Sequence, residues 1–202
     1  MPLNQKFYSR KTQLVAQGLL GKVLVRKFGG KILSGIITET EAYVGPHDLA
    51  CHAAKGRTKR TETMFSPAGR WYVYLIYGRY HCLNIVTEEK DYPSAVLIRS
   101  IVLIEGMKQA IRNRGLNSRS KNLQLKAYRL RLTNGPGKLC QALGINRKFN
   151  GTSATARNAK LFIEDRGIKI PQSNIVKSKR VGVDYAKEWK DKLLRFSLVF
   201  NS

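Results

Sequence analysis

Residues 71–87 read WYVYLIYGRYHCLNIVT, two β-prone runs on either side of the pair Gly78-Arg79. Aromatic and β-branched residues favour strands, and a glycine-containing pair between two such runs favours a tight turn. We therefore predict strands over Trp71–Tyr77 and Tyr80–Thr87, joined as a hairpin. Tyr77 then stands at the hairpin tip, exposed beside Arg79.

The same hairpin pattern extends to both sides of this stretch. Lys22–Phe28 and Lys31–Tyr43 are rich in Val, Ile and Thr and meet at Gly29-Gly30, and Ser94–Leu103 is another apolar run. Shorter strands are predicted over Leu161–Ile163, Val181–Val183 and Leu194–Val199. Because strands follow one another rather than alternating with helices, the sequence predicts an α+β fold. We expect one domain over residues 1–202, with peripheral helices around a curved, open-barrel-like antiparallel sheet.

Helices are predicted in three places from apolar spacing and end signals. Tyr8–Leu20 has helical spacing and ends at Gly21, Glu105–Asn113 is short, and Pro136–Leu143 begins with proline after a possible cap at Asn134. Two segments are predicted as loops: Gly45–Ala68, which is long, and Asn117–Lys126, which we expect to be mobile.

The charge balance is strongly basic. The chain has 37 Lys and Arg against 13 Asp and Glu, a formal net charge of +24. Residues 111–202 carry 21 of the basic side chains and only 5 of the acidic ones, whereas residues 61–110 carry 5 of each. A basic run is often only a solvated surface, but here the excess is chain-wide, so a polyanionic partner is favoured and cationic partners are disfavoured.

Other whole-chain features exclude several classes of protein. A hydrophobic content of 43% suits a globular protein rather than a disordered basic tail. No apolar run is long enough for a membrane-spanning helix, and the start, Met1–Lys6, lacks the apolar core of a signal peptide, so we expect a cytoplasmic protein. Three widely spaced cysteines argue against a disulfide framework or a zinc knuckle.

Polar residues cluster at the end of the predicted strand Lys31–Tyr43. Alternation puts Glu39, Glu41 and Tyr43 on one face. The following loop adds His47, Asp48 and His52, so the cluster fits a general base, a metal site or a merely solvent-facing polar strand. The histidine spacing matches no standard zinc motif. Arg99 is the one basic residue in the apolar run Ala95–Leu103, and a carboxylate partner is expected for it, from Glu41 or Glu39.

The aromatic hairpin has two interpretations. It can be an ordinary core-plus-surface hairpin, since aromatic residues are strand formers. However, Tyr74 and Tyr77 fall on opposite faces, so both cannot be buried, and an exposed tyrosine beside Arg79 suggests stacking on nucleobases or wedging between them. After the turn, Tyr80, Cys82 and Asn84 share one face, and Leu97 and Arg99 share a face of the next strand.

These residues lie in strings that resemble the alkyladenine (3-methyladenine) DNA glycosylase family, the methylpurine type. The strings are TETEAYVGPHDLACH, MFSPAGRWYVYLIYGRYHCLNI, AVLIRS, NGPGKLCQALGIN and RVGVDYAKEW. The strings occur in order, and the resemblance runs from about Leu19 to Phe196, nearly the whole chain. The resemblance implies a DNA repair enzyme that flips alkylated or deaminated purines (3-methyladenine, 7-methylguanine, hypoxanthine) out of duplex DNA and hydrolyses the N-glycosidic bond. It further implies base excision repair in the bacterial cytosol and nucleoid, with no metal, no cofactor and no lyase activity.

The resemblance also implies roles for single residues. Glu41 is the general base, and Arg99 and the carbonyl of Val181 help to hold the attacking water. Tyr43, His52 and Tyr74 form the walls of the base pocket, and Asn84 excludes normal guanine. The expected DNA-binding residues are Tyr77 as the wedge, Arg79, Tyr80, Leu97 and Lys138. Arg79 and His81 stand where other members carry apolar residues, and Gly137 stands where a serine is expected.

Two other classes remain open from the residues alone. A non-catalytic nucleic-acid-binding protein would explain the charge and the tyrosines, but it would give Glu41 no function. A metal-dependent nuclease would use Glu39, Glu41, Asp48 and the histidines. In the glycosylase interpretation the partner is double-stranded DNA with damaged purines, and we expect a monomer with no membrane association and no obligate protein partner.

Overall fold

One long strand organises the computed structural model, which describes residues 1–116 and 126–199. Strand β2 (Lys31–Tyr43) pairs along one edge with β5 (Ala95–Glu105). Its other edge pairs first with β1 (Val23–Phe28) and then with β8 (Arg195–Leu198). Register shifts interrupt the β2–β5 ladder at Ser34 and on both sides of Glu39, and such bulges bend and twist a strand. The sheet therefore changes direction next to the polar cluster.

The other strands extend the sheet in both directions. They are β3 (Trp71–Ile76), β4 (Tyr80–Val86), β6 (Leu161–Glu164) and β7 (Ile175–Ser178). Within the described ranges the order is β3-β4-β5-β2-β1-β6, with β7 attached to β8, and all seven pairings are antiparallel. This eight-stranded sheet with surrounding helices confirms the predicted α+β fold, and the predicted hairpin of β3 and β4 is present.

The helices are short and lie outside the sheet. They are α1 (Gln5–Tyr8), α2 (Thr12–Leu19), α3 (Met107–Asn113), α4 (Lys126–Thr133) and α5 (Pro136–Leu143). The helix predicted over Tyr8–Leu20 is confirmed only from Thr12 onward. Before that point the helix is interrupted, because α1 ends at Tyr8 and α2 begins at Thr12, where the amide and hydroxyl both donate to the carboxylate of Glu88.

Several local predictions need correction. The predicted strand Val181–Val183 is wrong, because Gly182 has a φ of 74° and Val181 turns its amide toward Glu41 instead of a neighbouring strand. The long loop Gly45–Ala68 contains two short 3-10 helices, His52–Lys55 and Glu62–Phe65. Strand β7 and helix α4 were not predicted. The predicted loop Asn117–Lys126 lies outside the described residues, except that Lys126 begins α4.

Two apolar clusters hold the site in place. The main core packs α2 and α5 against the sheet, and Trp71, fully buried there, donates from its indole nitrogen to the carbonyl of Leu161 over 2.9 Å. A second, smaller cluster packs Cys51, Ala53 and Met64 of the long loop against Tyr72 and neighbouring strand residues. Because burial of apolar surface fixes this loop, His52 has a defined position beside the sheet.

Among the residues that the structure describes, no helix combines the length and the apolar content that crossing a membrane requires.

Candidate active site

Strand β2 brings three polar side chains together. Glu39, Glu41 and Tyr43 alternate along the second half of the strand, and alternate residues share a face. Arg99 contacts both glutamates, and the Tyr43 hydroxyl donates to Oε2 of Glu41 over 2.9 Å. The predicted grouping of these side chains on one face is therefore confirmed.

Glu41 is the most enclosed of the acidic residues in this group. Its side chain is fully buried, and its Oε1 accepts a hydrogen bond from the amide of Val181 over 2.9 Å and lies 3.3 Å from Nη1 of Arg99. Burial raises the pKa of Glu41, whereas the charge of Arg99, the Val181 amide and the Tyr43 hydroxyl oppose that rise. The pKa stays above its ordinary value, which suits a carboxylate that accepts a proton during a reaction.

Arg99 has the carboxylate partners that were predicted for it. Its Nε lies 2.8 Å from Oε1 of Glu39, in addition to the contact with Glu41. Burial disfavours the charged guanidinium, but the two glutamates outweigh burial and raise the pKa of Arg99. The group is therefore a permanent cation beside a buried carboxylate.

A cavity of about 340 Å³ opens beside Glu41, a volume within the usual range of small-molecule sites. Nine of the predicted site residues line it: Glu41, Tyr43, His52, Tyr74, Tyr77, Asn84, Leu97, Arg99 and Val181. Arg79, Tyr80 and Lys138 are outside this lining. They lie on the neighbouring hairpin and at the start of α5, where Pro136 also lines the cavity.

Aromatic rings form much of the cavity wall. The ring of His52 is 4.5 Å from that of Tyr74 between centroids, at an edge-on angle of 75°, and its Nδ1 is 3.0 Å from the hydroxyl of Tyr72. Burial, reinforced by the charge of Arg60, lowers the pKa of His52 to about 4. The imidazole is consequently neutral near pH 7, and the wall presents no positive charge at this position.

Tyr72 is a lining residue that the sequence analysis missed. Alternation along β3 would have found it, because residues two apart share a face and Tyr74 was already a candidate. Tyr72 also orients Asn84: the Nδ2 of Asn84 donates to the Tyr72 carbonyl over 3.2 Å, and Asn84 is only 3% exposed.

Tyr77 occupies the hairpin tip, as predicted. Its side chain is 91% exposed, although it borders the cavity on one side. The φ angles of Tyr77 and Gly78 are 49° and 62°, both in the left-handed region, and across them the amide of Arg79 donates to the carbonyl of Ile76 over 3.1 Å. Glycine adopts this conformation freely, but a tyrosine does so only with backbone strain.

Helix α5 approaches the same hairpin. The predicted cap at Asn134 is wrong: Pro136 takes the first helical position, so the capping residue is Gly135, whose φ of 105° is a conformation that glycine adopts readily and other residues do not. The amide of Gly135 donates to the carbonyl of Arg99 over 3.1 Å, which ties the helix start to the site. Lys138 is exposed in this first turn, and Gly137 leaves room for Tyr80, whose Cβ is 3.1 Å from the place of a Cβ at that position.

The residues proposed as alternative metal ligands have other partners. The carboxylate of Asp48 is engaged by Arg180, and the ring of His47 packs against Trp189 with centroids 5.4 Å apart. In the part of the chain that the structure describes, no three His, Cys, Asp or Glu side chains are grouped as metal ligands. The cysteine nearest the cavity, Cys82, has its pKa raised by burial to about 11.

Two arginines behind the cavity wall were also missed by the sequence analysis. The guanidinium of Arg180 lies 4.8 Å from the ring centroid of Tyr43, and that of Arg60 lies 5.4 Å from the centroid of Tyr74. Arg180 directly precedes Val181, which was a candidate, but nothing local in the sequence indicates that it faces Tyr43.

The sequence of this chain is similar to those of a recognised protein family. A profile of the methylpurine-DNA glycosylase family matches residues 6–202. A protein of Clostridium perfringens (strain SM101 / Type A), named as a candidate 3-methyladenine DNA glycosylase, is 46% identical over 203 residues, covering 100% of this chain and 97% of its own length. Proteins with the same name from Myxococcus xanthus and Rickettsia peacockii are 43% and 45% identical, covering 93% and 97% of this chain and 84% and 89% of their own lengths.

Proposed function

The chain belongs to the methylpurine-DNA glycosylase family, and on that premise we propose that it excises alkylated and deaminated purines from duplex DNA. The observation that carries the proposal is the position of Glu41, a fully buried carboxylate in an aromatic cavity that borders the exposed Tyr77. The substrates proposed are 3-methyladenine, 7-methylguanine and hypoxanthine, each turned out of the helix into the cavity.

Glu41 is the general base in this proposal. A water molecule held by Arg99 and the carbonyl of Val181 attacks C1′ of the sugar while Glu41 takes up its proton. The bond between C1′ and the purine nitrogen breaks, and its electron pair leaves with the base. A cationic alkylated purine leaves as a neutral molecule, so only a neutral lesion such as hypoxanthine needs an additional proton.

The cavity wall suits a cationic base. The rings of Tyr43 and Tyr74 offer electron-rich faces, which attract a flat cation more strongly than a neutral base. His52, with its pKa lowered to about 4, adds no opposing charge. Asn84, held by its bond to Tyr72, crowds the exocyclic amino group of any guanine. 7-Methylguanine carries the same group, and its positive charge compensates by making it a better leaving group and by strengthening its attraction to the tyrosine rings.

Tyr77 fills the gap that the extruded nucleotide leaves. Base flipping costs a few kcal/mol of stacking and pairing, and an inserted side chain offsets part of that cost. Arg79, Tyr80, Leu97 and Lys138 complete the contact surface, with Lys138 bound to a phosphate near the amides at the start of α5. The basic excess of the chain favours the same partner.

We propose a monofunctional enzyme. Lyase activity requires an amine that forms a Schiff base with the sugar, and the position of the attacking group is occupied here by the carboxylate of Glu41. The expected product is therefore an intact strand with an abasic site.

The decisive experiment measures free base released from methylated duplex DNA in the presence of EDTA. Release of 3-methyladenine and 7-methylguanine, with the strand uncut until alkali is added, supports the proposal. A metal-dependent nuclease would cut undamaged strands and lose activity in EDTA, and a binding protein would retain the DNA without releasing base. Either result would contradict the proposed function.

A further inference from the structure

A buried ion pair lies directly behind the proposed general base. Nη1 and Nη2 of Arg180 are 2.6 and 2.8 Å from the two carboxylate oxygens of Asp48, and both side chains are fully buried. This two-pronged geometry matches the guanidinium fork to the carboxylate and fixes the relative position of the two residues.

The pair joins three separate backbone segments. Arg180 also donates to the carbonyls of Ala42, at the end of β2, and Trp189, in the C-terminal segment, over 2.8 and 3.3 Å. Asp48 accepts from the amides of Val44 and Ala50 in the loop that follows β2, over 3.1 and 3.0 Å. Because Ala50 lines the cavity, the pair links the loop wall to the strand that carries Glu41.

Two of the three direct contacts of Glu41, those other than Arg99, depend on this neighbourhood. Val181, whose amide binds Oε1 of Glu41, is the next residue after Arg180. Tyr43, whose hydroxyl binds Oε2, has its ring 4.8 Å from the Arg180 guanidinium. One buried arginine therefore fixes the chain on one side of the carboxylate and the aromatic ring on the other.

We infer that Arg180 and Asp48 are positioning residues for excision, which hold the Val181 amide and the Tyr43 hydroxyl on Glu41 in the geometry that base catalysis needs. The inference rests on the proposed function of Glu41. Neither residue lines the cavity, so neither is assigned a contact with DNA.

Stability alone is a weak explanation for such a pair. Two charges lose their hydration on burial, and well-packed apolar residues of similar volume often stabilise a fold equally well or better. What an apolar pair lacks is the set of directed hydrogen bonds to Ala42, Trp189, Val44 and Ala50. Those bonds determine where Val181 and Tyr43 lie, and a misplacement of 1 Å in an active site can cost about 10²-fold in rate.

The test compares two variants with a matched control. Arg180→Lys keeps the charge but cannot maintain the fork, and the double variant Asp48→Asn with Arg180→Gln leaves no buried charge unpaired. The control is Asp191→Asn, which breaks an exposed ion pair. In that pair, Nζ of Lys179, the residue directly before Arg180, lies 2.6 Å from Oδ1 of Asp191. Each protein is assayed for melting temperature, affinity for undamaged duplex, and the single-turnover excision rate as a function of pH.

The pH profile separates positioning from a structural role. Glu41 faces Arg99 from β5, Tyr43 and Glu39 from β2, Cys82 from β4, and the Val181 amide and Arg180 from the C-terminal segment. The Val181 amide lowers the pKa of Glu41, so its displacement moves the acid limb of the rate profile to higher pH. The Tyr43 hydroxyl lowers that pKa as well. Arg180→Lys retains the cation, and a shift in this variant therefore reports the loss of the amide contact, the tyrosine contact or both.

We expect both variants to remain folded, to bind undamaged DNA like the parent, and to lose about 10²-fold in excision rate. Their acid limbs should lie at higher pH, while Asp191→Asn should match the parent in every assay. A folded variant with the parent's rate and pH profile would overturn the inference. Variants that unfold at the assay temperature, or that lose rate without any shift of the acid limb, would identify a structural pair and also overturn it. Failure of the parent protein to release base would instead overturn the proposed function.

Discussion

Arg99 lies closer to Glu39 than to Glu41: Nε is 2.8 Å from Oε1 of Glu39, whereas Nη1 is 3.3 Å from Oε1 of Glu41. The Glu39 side chain is 16% exposed, and a second cation, Arg195, lies 3.4 Å away from it. Glu41, by contrast, is fully buried, and its contact with Arg99 is the longer of the two. Two carboxylates on one strand face are thus held in unlike environments, the arrangement that gives such groups different chemical tasks.

We predict that Glu41→Gln abolishes excision while leaving affinity for lesion-containing DNA at least unchanged. A carboxylate repels phosphates, so its removal cannot weaken binding electrostatically, whereas general-base terms contribute about 10²–10⁴-fold to rate. The measurements are base release under single-turnover conditions and DNA affinity by titration.

Glu39→Gln is the matched control for that variant. It removes the nearer partner of Arg99 but keeps Glu41 with its amide and tyrosine contacts, so most of the activity should survive. If Glu41→Gln kept more than about one part in a hundred of the parent rate, the general-base assignment would be wrong.

The raised pKa of Glu41 makes a separate prediction about pH. A general base works only when ionised, so excision of a cationic lesion should decline as pH falls through the pKa of Glu41. Because burial raises that pKa, the acid limb should have its midpoint above about 4.3, the value of an unperturbed glutamate. His52, with a pKa of about 4, should add no further step between pH 5 and 8.

The pH measurement uses 7-methylguanine, which needs no proton from the enzyme in order to leave. Rates at saturating protein from pH 4 to 8 give the midpoint. A midpoint at or below that of free glutamate would show that Glu41 is not desolvated in the reacting complex, or that it is not the titrating base.

Local patterns predicted much of the fold. The bounds of β2 were predicted as observed, because its run of Ile and Thr residues lies between the Gly29-Gly30 turn and Gly45. The bounds of α5 were also correct, since proline suits the first helical position and Gly144, with a φ of 62°, ends the helix in the left-handed conformation. Glu41 and Arg99 could be paired in advance because a lone arginine in an apolar strand needs a carboxylate.

The parts that were not predicted depend on contacts distant in sequence. Val181 binds Glu41 across 140 positions, and Arg180 binds Asp48 across 132. Val181–Val183 has the residue types of a strand, but the tertiary contact to Glu41 and the left-handed Gly182 override that tendency. No periodicity marks such a partner, so only the folded chain identifies it.

We predict that Lys138→Gln weakens binding to all duplexes alike and reduces the salt dependence of binding. Each phosphate contact contributes roughly −0.9 to the slope of log affinity against log salt. The matched control is Lys160→Gln, which should keep the parent's slope. Lys160 is also exposed but precedes β6, and β6 and β3 lie at opposite ends of the strand order. Equal slopes for Lys138→Gln and the parent would remove Lys138 from the DNA contact surface.

Arg60 provides a prediction about lesion preference. Its guanidinium lies 5.4 Å from the ring of Tyr74 and contributes to the low pKa of His52. Arg60→Gln should therefore raise the pKa of His52 above about 4 in an NMR titration and shift excision toward cationic 7-methylguanine relative to neutral hypoxanthine. The effect should be modest, because Arg60 is exposed and its field is screened by water. Lys59→Gln, the exposed neighbour, should change neither quantity.

The last prediction concerns the strained tip at Tyr77. A tyrosine with a φ of 49° destabilises the backbone by about 1–2 kcal/mol. The Tyr77 side chain is exposed, so its packing stabilises the fold too little to compensate. Tyr77→Asn gives the turn the Asn-Gly pair that left-handed hairpin turns favour, so the melting temperature should rise by about 2–4 °C for each kcal/mol relieved. Excision from duplex DNA should nevertheless fall steeply, because the flipped state loses the side chain that fills the gap. A lesion in single-stranded DNA leaves no such gap, and activity there should fall much less. Thermal melts beside excision rates on both substrates test this. A drop of more than about 8 °C, with both substrates affected equally, would mean that Tyr77 supports the fold and is not a wedge, since truncating a core aromatic costs about 3–5 kcal/mol.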